Sequence, residues 1–176
     1  WIDVRAFGQV FGFNDQKGMS EGIRGPVSIQ SAFSVCPVVI DSMQITKSVN
    51  GAGKGKASDT MGMKHKVTSA MYVAKGSINH QLAQKTGFTD EDAEKIKEAL
   101  RTLFVNDASA ARPDGSMEVC KVYWWRHNCP MGQYSSAKVH RSLKISANTE
   151  LPKCFEDYSI TVEALDGLEP EVIEGV

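Results

Sequence analysis

Four residues in the later part of the chain have side chains that can bind zinc: Cys120, His127, Cys129 and His140. Their spacing, C-x6-H-x-C-x10-H, differs from that of zinc fingers and ribbons, in which paired ligands stand about two to four residues apart. His127 and Cys129 also offer a base and a nucleophile, but the surrounding WRHNCP contains no acid that would orient the histidine. We therefore predict neither a metal site nor a catalytic residue.

A glycine-rich segment between Asn50 and Ala57 resembles a phosphate-binding loop. Such a loop begins with glycine and places serine or threonine after Gly-Lys, where the hydroxyl binds magnesium. Here Asn50 takes the first position and Ala57 follows the Gly-Lys pair. The acids outside the helix caps and the acidic end are too scattered to form a catalytic pair. The sequence therefore argues against an NTPase and against hydrolytic chemistry, and we predict no cofactor and no enzyme activity.

Basic side chains concentrate in two places. From Lys47 to Lys75 there are six lysines and one acid, Asp59, so this segment favours a negatively charged partner. Arg24 stands between glycines in EGIRGPV, where the backbone can approach a phosphate closely while the guanidinium binds two of its oxygens. The candidate RNA-binding residues are Arg24, Lys47, Lys54, Lys56, Met61, Met63, Lys64, His65 and Lys66.

Met61 and Met63 add flexible apolar side chains to this set, which could wedge between bases or stack on them. The cations beside them would hold phosphates. A plainer interpretation stays open for each place: Arg24 is an exposed residue of a turn, and the lysines are solvated side chains at the base of a hairpin.

The elements that must position these residues follow from hydrophobic spacing. Apolar residues two apart predict a half-buried strand over residues 26–35, and extended character continues over 38–50. A loop is expected over 50–59, and β-type residues return over 67–78. The basic segment therefore forms a hairpin-like arm that projects from the body.

Two helices are predicted after this arm. The first spans about residues 79–85 and stops at Gly87. The second begins at Thr89, which forms a capping box with Asp92. Its apolar stripe consists of Ala93, Ile96, Leu100, Leu103 and Phe104.

Three later segments, residues 119–126, 139–145 and 158–164, are rich in β-branched and aromatic residues and predict strands. The order of strand, helix pair and strand matches half of a ferredoxin-like unit. We predict an α+β fold with helices on one face of an antiparallel sheet.

Composition places the chain among ordinary globular proteins. It has 176 residues, 41% of them hydrophobic and 23% charged, which fits one domain. Residues 150–176 hold eight acids and one base, against 19 basic and 13 acidic residues before them, an asymmetry that often marks a polyanion-binding body. No apolar run approaches the roughly 18 residues of a membrane span, and no signal peptide is visible. Four irregularly spaced cysteines favour reduced thiols in a cytoplasmic protein.

Five successive segments carry a family resemblance. They are DVRAFGQV (3–10), GIRGPVSIQSAFSVCPV (22–38), DTMGMKHKV (59–67), YVAKGSINHQLAQKTGFTDEDAEKIKEAL (72–100) and SAAR (109–112). Together they resemble the guide-RNA-binding backbone subunit of type I CRISPR Cascade, in the Cas-seven superfamily, and its type I-C version in particular. The resemblance extends to about Lys144.

This resemblance implies an RNA-recognition-type palm with a projecting β-hairpin thumb. The palm would occupy residues 1–149 with the thumb inserted at about 46–67, and an acidic strand and tail would follow at 150–176. Copies would polymerise head to tail along one CRISPR RNA, each binding its sugar-phosphate backbone. The implied partners are this RNA, target DNA paired with the guide, further copies of the chain and the other Cascade subunits, with no membrane.

The resemblance also assigns roles within the candidate set. Lys47 to Lys66 would form the thumb, with Met61 and Met63 near its apolar wedge. Arg24 and Lys64, with His65 as a weaker candidate, would contact the RNA backbone.

Some features depart from the family pattern. The strand and helix with which relatives usually begin are absent, so the resemblance implies the carboxyl-terminal part of a longer subunit. Relatives often carry a basic residue at the position of Met63. The type I branch is taken to be non-catalytic, and the acidic residue with which type III relatives cut RNA has no match here. A metal-dependent RNA nuclease of the superfamily and a general single-stranded RNA-binding module remain alternatives.

Overall fold

The computed structural model of the protein describes residues 1–12, 20–46 and 61–176. These ranges contain the helices α1 (Ile2–Phe7), α2 (His80–Thr86), α3 (Asp90–Arg101) and α4 (Ser136–Ser142). Their strands are β1 (Gly8–Gly12), β2 (Ser20–Arg24), β3 (Val27–Ile29), β4 (Phe33–Ser34), β5 (Ile40–Thr46), β6 (Met61–Val67), β7 (Tyr72–Val73), β8 (Gly76–Ile78), β9 (Lys121–Trp125), β10 (Leu143–Ala147), β11 (Tyr158–Val162) and β12 (Pro170–Glu174). No helix in these ranges has both the length and the apolar character that crossing a membrane requires.

The strands combine in pairs. Each pair forms its own two-stranded sheet: β1 with β2, β3 with β8, β4 with β7, β5 with β6, β9 with β12 and β10 with β11. The first five of these pairs are antiparallel. The predicted mixture of helices and antiparallel strands is thus confirmed, while the ferredoxin-like arrangement of one larger sheet stays a prediction.

The chain divides into two compact units. The first consists of Trp1–Ser31, Ala74–Lys144 and Ile160–Val176, and the second of Ala32–Val73 and Ile145–Ser159. All four helices and the fully buried apolar side chains of the described residues, Ala6, Val139 and Leu168, belong to the first unit.

Helices α2 and α3 form where their caps predict them. The Asn79 side chain accepts a hydrogen bond from the Leu82 amide, and Gly87 ends α2 in the left-handed region at φ 70°. Thr89 and Asp92 make the predicted capping box at the start of α3. Both helix predictions are therefore confirmed, although α3 ends at Arg101 and leaves the last two residues of the expected stripe beyond it.

A buried carboxylate of α3 joins this helix to α1. Asp92 is 2% exposed and accepts hydrogen bonds from Arg5 Nε at 2.8 Å and Nη2 at 2.6 Å. Hydrogen bonding from the Arg5 guanidinium lowers the pKa of Asp92 to about 2, which outweighs the opposite effect of burial. The same carboxylate also accepts the Thr89 amide, so it serves the cap and the ion pair at once.

A buried ammonium of α3 holds the carboxyl-terminal strand. Lys97 Nζ lies 2.7 Å from Glu171 of β12 and 2.8 Å from Glu94, and it stands 5.4 Å from the centre of the Trp124 ring. Burial lowers the pKa of Lys97, but hydrogen bonds to Glu171 and Glu94 raise it overall. Because β12 pairs with β9 along its whole length, the end of the acidic segment is part of the first unit, and Glu171 is held there by a contact with α3.

Two strand predictions need correction. The strand expected over residues 139–145 begins only at Leu143, where β10 starts, because α4 occupies the residues up to Ser142. Ser135 caps this helix by accepting a hydrogen bond from the Lys138 amide, and such a cap favours a helix over the extended chain that β-type composition suggests. The strand expected over 26–35 is divided into the short strands β3 and β4, and its residues Ile29 and Phe33 are exposed rather than half-buried.

The described part of the second unit holds the strands β4, β5, β6 and β7 and parts of β10 and β11. Tyr158, the first residue of β11, has a hydroxyl that accepts a hydrogen bond from the amide of Met71, the residue before β7, at 3.3 Å. Ser69 Oγ donates a hydrogen bond to the Lys153 carbonyl oxygen at 3.1 Å in the same unit. These contacts anchor the chain that follows β6, a strand of the longest ribbon among the described residues.

Candidate nucleic-acid interface

Strands β5 and β6 form an antiparallel ribbon of seven paired positions, from Ile40 opposite Val67 to Thr46 opposite Met61. The sequence predicts that the extended segment over 38–50 pairs with a second extended segment over 67–78. In the structure, the strand that pairs with β5 is residues 61–67 instead. The candidate residues Lys47, Lys54 and Lys56 lie outside the described residues. The other ribbon candidates all stand on β6.

Register places the candidates of β6 on opposite faces of this ribbon. Directly paired residues of two antiparallel strands project to the same side, and successive residues alternate. The lysine face carries Asp41, Met43, Ile45, Gly62, Lys64 and Lys66. The methionine face carries Ile40, Ser42, Gln44, Thr46, Met61, Met63, His65 and Val67. From the sequence we expected Met61 and Met63 to act beside the cations, whereas the register separates them from Lys64 and Lys66.

The ribbon is exposed on both faces. All fourteen of its residues are exposed, including the large apolar side chains of Ile40 (60%), Met61 (63%) and Met63 (56%). A two-stranded ribbon is at best marginally stable in water without something packed on it, and clustered exposed apolar side chains mark interaction surfaces. The ribbon therefore has the properties of a binding element.

Side-chain contacts differ between the two faces. On the lysine face, Lys66 Nζ lies 3.3 Å from an Asp41 carboxylate oxygen, an exposed pair of the kind that contributes little to stability. On the methionine face, His65 Nδ1 and Ser42 Oγ are 2.8 Å apart, and since Ser42 is directly opposite on β5 this contact holds the imidazole across the ribbon. The exposed ion pair of Lys66 is weak enough for a phosphate to compete with Asp41 for the ammonium group.

Arg24 stands in the first unit, at the end of β2. It pairs with Gly8 of β1, and both this partner and Gly25, the residue after Arg24, are packed too closely against backbone for a side chain. A Cβ at Gly25 would lie 2.2 Å from the Ala6 carbonyl oxygen, and one at Gly8, where φ is 86°, would lie 2.0 Å from the Ile23 carbonyl oxygen. The backbone of Arg24 is thus fixed against the end of α1 while its side chain is exposed.

The Arg24 side chain borders a pocket of about 320 Å³. Other residues of its lining include Phe7, Ser28, Ser77, Asn79 and Leu82. Within the described residues, Arg24 makes no hydrogen bond or ion pair through its side chain, so its guanidinium can bind an anion bidentately. Sequence reasoning identified the arginine but missed Ser28 and Ser77, which a serine at the centre of the short segments VSI and GSI could have indicated.

The residues considered for zinc have separate partners. His127 Nδ1 accepts a hydrogen bond from the Gln133 amide, and His140 Nε2 lies 2.9 Å from the Gly76 carbonyl oxygen. His140 is on α4 rather than on the strand expected for it. In the described ranges, no three histidine, cysteine or acidic side chains are grouped as metal ligands, and no disulfide joins the cysteines there.

The chain matches the family model described as CRISPR-associated protein Cas7 over residues 1–163, a span that includes the Arg24 pocket and the β5–β6 ribbon and ends before β12. No curated protein matches the chain.

Proposed function

Because this chain belongs to the Cas7 family of CRISPR-associated proteins, we propose that it is a non-catalytic backbone subunit that polymerises along guide RNA in a type I-C Cascade complex. Family membership associates it with CRISPR-based antiviral defence. Each copy would bind the sugar-phosphate backbone of the RNA through the β5–β6 ribbon and through Arg24. Target DNA would join through the guide, and other Cascade subunits would bind the filament.

The observation that carries the proposal is the exposed ribbon with lysines on one face. Lys64 and Lys66 project from the same side of β6, two residues apart, a distance of about 7 Å along a strand. This spacing is close to that of neighbouring phosphates in an extended single strand. Lysine contacts of this kind bind phosphates without reading bases, as a guide-binding subunit must.

Arg24 supports the proposal from the first unit. The close contacts at Gly8 and Gly25 fix its backbone, and the planar guanidinium matches two phosphate oxygens in one geometry, so that less freedom is lost for each hydrogen bond formed. Arginine at the rim of a pocket suits a phosphodiester better than a flat exposed cation does, because the pocket can hold the adjoining sugar.

Polymerisation follows from the same physics. A single copy binds few phosphates, but copies that touch one another on one strand bind with the combined strength of many contacts. A head-to-tail contact that does not close on itself generates a helix. The filament is therefore a means of gaining affinity for RNA of any sequence.

Salt dependence of RNA binding tests this proposal. We expect Lys64→Ala and Arg24→Ala each to weaken binding of a single-stranded RNA and to reduce the slope of log K against log salt concentration by about 0.7 for each phosphate that is no longer neutralised. Lys95→Ala is the matched control, since Lys95 is an exposed lysine (58%) paired with Glu91 on α3. Fluorescence anisotropy at several salt concentrations would measure the slopes.

The outcome is decisive in both directions. If both variants keep the slope of the unsubstituted chain, neither residue contacts phosphate and the proposed interface is wrong. Cleavage of the bound RNA that stops when a chelator is added would instead identify a metal-dependent nuclease, and strong preference for particular bases would identify a general RNA-binding module.

A further inference from the structure

We propose that Ser28 and Ser77 select RNA over DNA by hydrogen bonding to the ribose 2′-hydroxyl next to the phosphate that Arg24 binds. The inference rests on the proposed function, because it assigns the sugar chemistry of the same ligand. It makes Arg24 a contact common to both nucleic acids and the two serines a contact that only RNA can use.

The pairing of β3 with β8 brings the two serines together. Ser28 is directly opposite Ser77 in the antiparallel register, so the two side chains project to the same face with Cβ atoms about 5 Å apart. Both residues are exposed, and neither hydroxyl makes a hydrogen bond within the described residues. The hydroxyls are therefore close to each other and open to a ligand.

The pocket that the serines line has a mixed character. On either side of the serines, Val27 pairs with Ile78 and Ile29 with Gly76, and these pairs alternate with the serines along the two strands; Val27 is also part of the pocket lining. Asn79 lines the pocket as well, and its side-chain oxygen accepts the Leu82 amide at 3.0 Å in the helix cap. The two hydroxyls, neutral groups that both donate and accept, thus belong to the same pocket as the cationic Arg24.

A ribose 2′-hydroxyl matches this arrangement. It is also both donor and acceptor, so one serine can donate to it while the other accepts from it. The pocket volume of about 320 Å³ is at the lower end of the roughly 300–1,000 Å³ of small-molecule sites, which suits one sugar with its phosphate. A deoxyribose fits the same space but leaves both hydroxyls to water.

The backbone of Arg24 begins at a fixed point beside the pocket. The close contacts at Gly8 and Gly25 hold its main chain there, while its exposed side chain can follow a bound phosphate. The two serines have the more definite position, because the register of β3 on β8 sets where they stand. The pocket therefore combines one contact that gives affinity with two that give specificity.

The test compares RNA and DNA single strands of identical sequence. We expect the unsubstituted chain to bind RNA about 10-fold more tightly, which is the upper effect of one neutral hydrogen bond or the combined effect of two weaker ones. Ser28→Ala and Ser77→Ala should weaken RNA binding about 3- to 10-fold and leave DNA binding unchanged. Arg24→Ala should weaken both strands by the same factor. Ser146→Ala, a serine on an exposed position of β10, is the matched control and should change neither.

Each result has a distinct meaning. An RNA-to-DNA affinity ratio that both serine variants leave unchanged would overturn the inference while the proposed function stands. Equal binding of RNA and DNA by the unsubstituted chain would also overturn the inference and leave the proposed function standing. Binding of neither strand would overturn the proposed function itself. The ratio is measured within each variant, so a partial loss of folded protein affects both strands alike and does not imitate the expected result.

Discussion

Replacing Asp92 by asparagine tests how the helices of the first unit are held together. The substitution keeps the shape of the side chain but removes the charge that Arg5 Nε and Nη2 contact at 2.8 and 2.6 Å. The pKa of Asp92 is lowered from 3.8 to about 2. At about 1.36 kcal/mol per pKa unit, the charged carboxylate contributes about 2 kcal/mol to the free energy of unfolding at neutral pH. Solvent reduces this value only in part, because the Asp92 side chain is 2% exposed while that of Arg5 is 37% exposed.

The pH dependence of this contribution has a definite sign. The folded protein holds the proton of Asp92 less tightly than the unfolded chain does, so the stabilisation is complete above about pH 4 and is lost as the pH falls toward about 2. We therefore expect Asp92→Asn to lower the free energy of unfolding by about 2–3 kcal/mol at pH 7. The difference from the unsubstituted chain should shrink steadily below pH 4.

Asp90→Asn is the matched control on the same helix turn. Asp90 is 84% exposed and pairs with Arg126, which is 71% exposed, so its loss should cost under about 1 kcal/mol. Urea unfolding followed by circular dichroism at pH 7 and at pH 3 would give the free energies. If the two variants differ by less than about 0.5 kcal/mol at pH 7, the Arg5 contact does not hold α1 on α3 and the reasoning is refuted.

Two further substitutions test the carboxyl-terminal strand and the setting of the arginine. Lys97→Met leaves Glu171 without its partner, so β12 should detach more readily and be cleaved faster in limited proteolysis; an unchanged cleavage rate would contradict this role. Gly25→Ala places a Cβ 2.2 Å from a backbone oxygen of α1, which should cost about 1–3 kcal/mol in thermal unfolding. Gly22→Ala, where a Cβ would meet nothing within 4 Å, should stay within about 0.5 kcal/mol of the unsubstituted chain.

Elements with local signals could be predicted from the sequence. The caps at Asn79 and Thr89 lie within three residues of the amides that they bind, so the start of each helix is encoded in a short segment. The same kind of signal is present at Ser135, the cap of α4. The β-branched residues that follow Ser135 suggest a strand and so conceal the cap. A few such side chains do not outweigh the stability of a capped helical turn.

Features that depend on distant partners could not be predicted. Nothing near Lys97 in sequence indicates that Glu171 lies beside it, 74 residues later, and the acidic end therefore has the pattern of a solvated tail. Arg5 and Asp92 are 87 residues apart. Such pairs form only once the strands and helices are assembled, since the cost of burying each charge is recovered by the other.

The Arg24 pocket has one feature with a local signal in the sequence and one that depends on a distant partner. The glycines around Arg24 are a visible signal of close backbone approach, but the approach predicted from them is to a phosphate, whereas Gly25 is buried against the backbone of α1. The serines of the pocket required the register of β3 on β8, which two three-residue strands cannot specify by hydrophobic pattern alone.

The alternation along β6 is visible in the sequence, and its consequence reaches beyond the fold. Met61, Met63 and His65 occupy one parity, while Gly62, Lys64 and Lys66 occupy the other, so any antiparallel partner separates them into two faces. Large apolar side chains stand on both faces, because Met43 and Ile45 share the lysine face with Lys64 and Lys66. A ribbon that only bound phosphates would have no use for these apolar side chains, and a ribbon that only packed on protein would have no use for the lysines. Exposure of both faces in the single chain therefore argues for two simultaneous partners. On the proposed function, phosphates meet the lysine face, while bases or a neighbouring copy cover the methionine face.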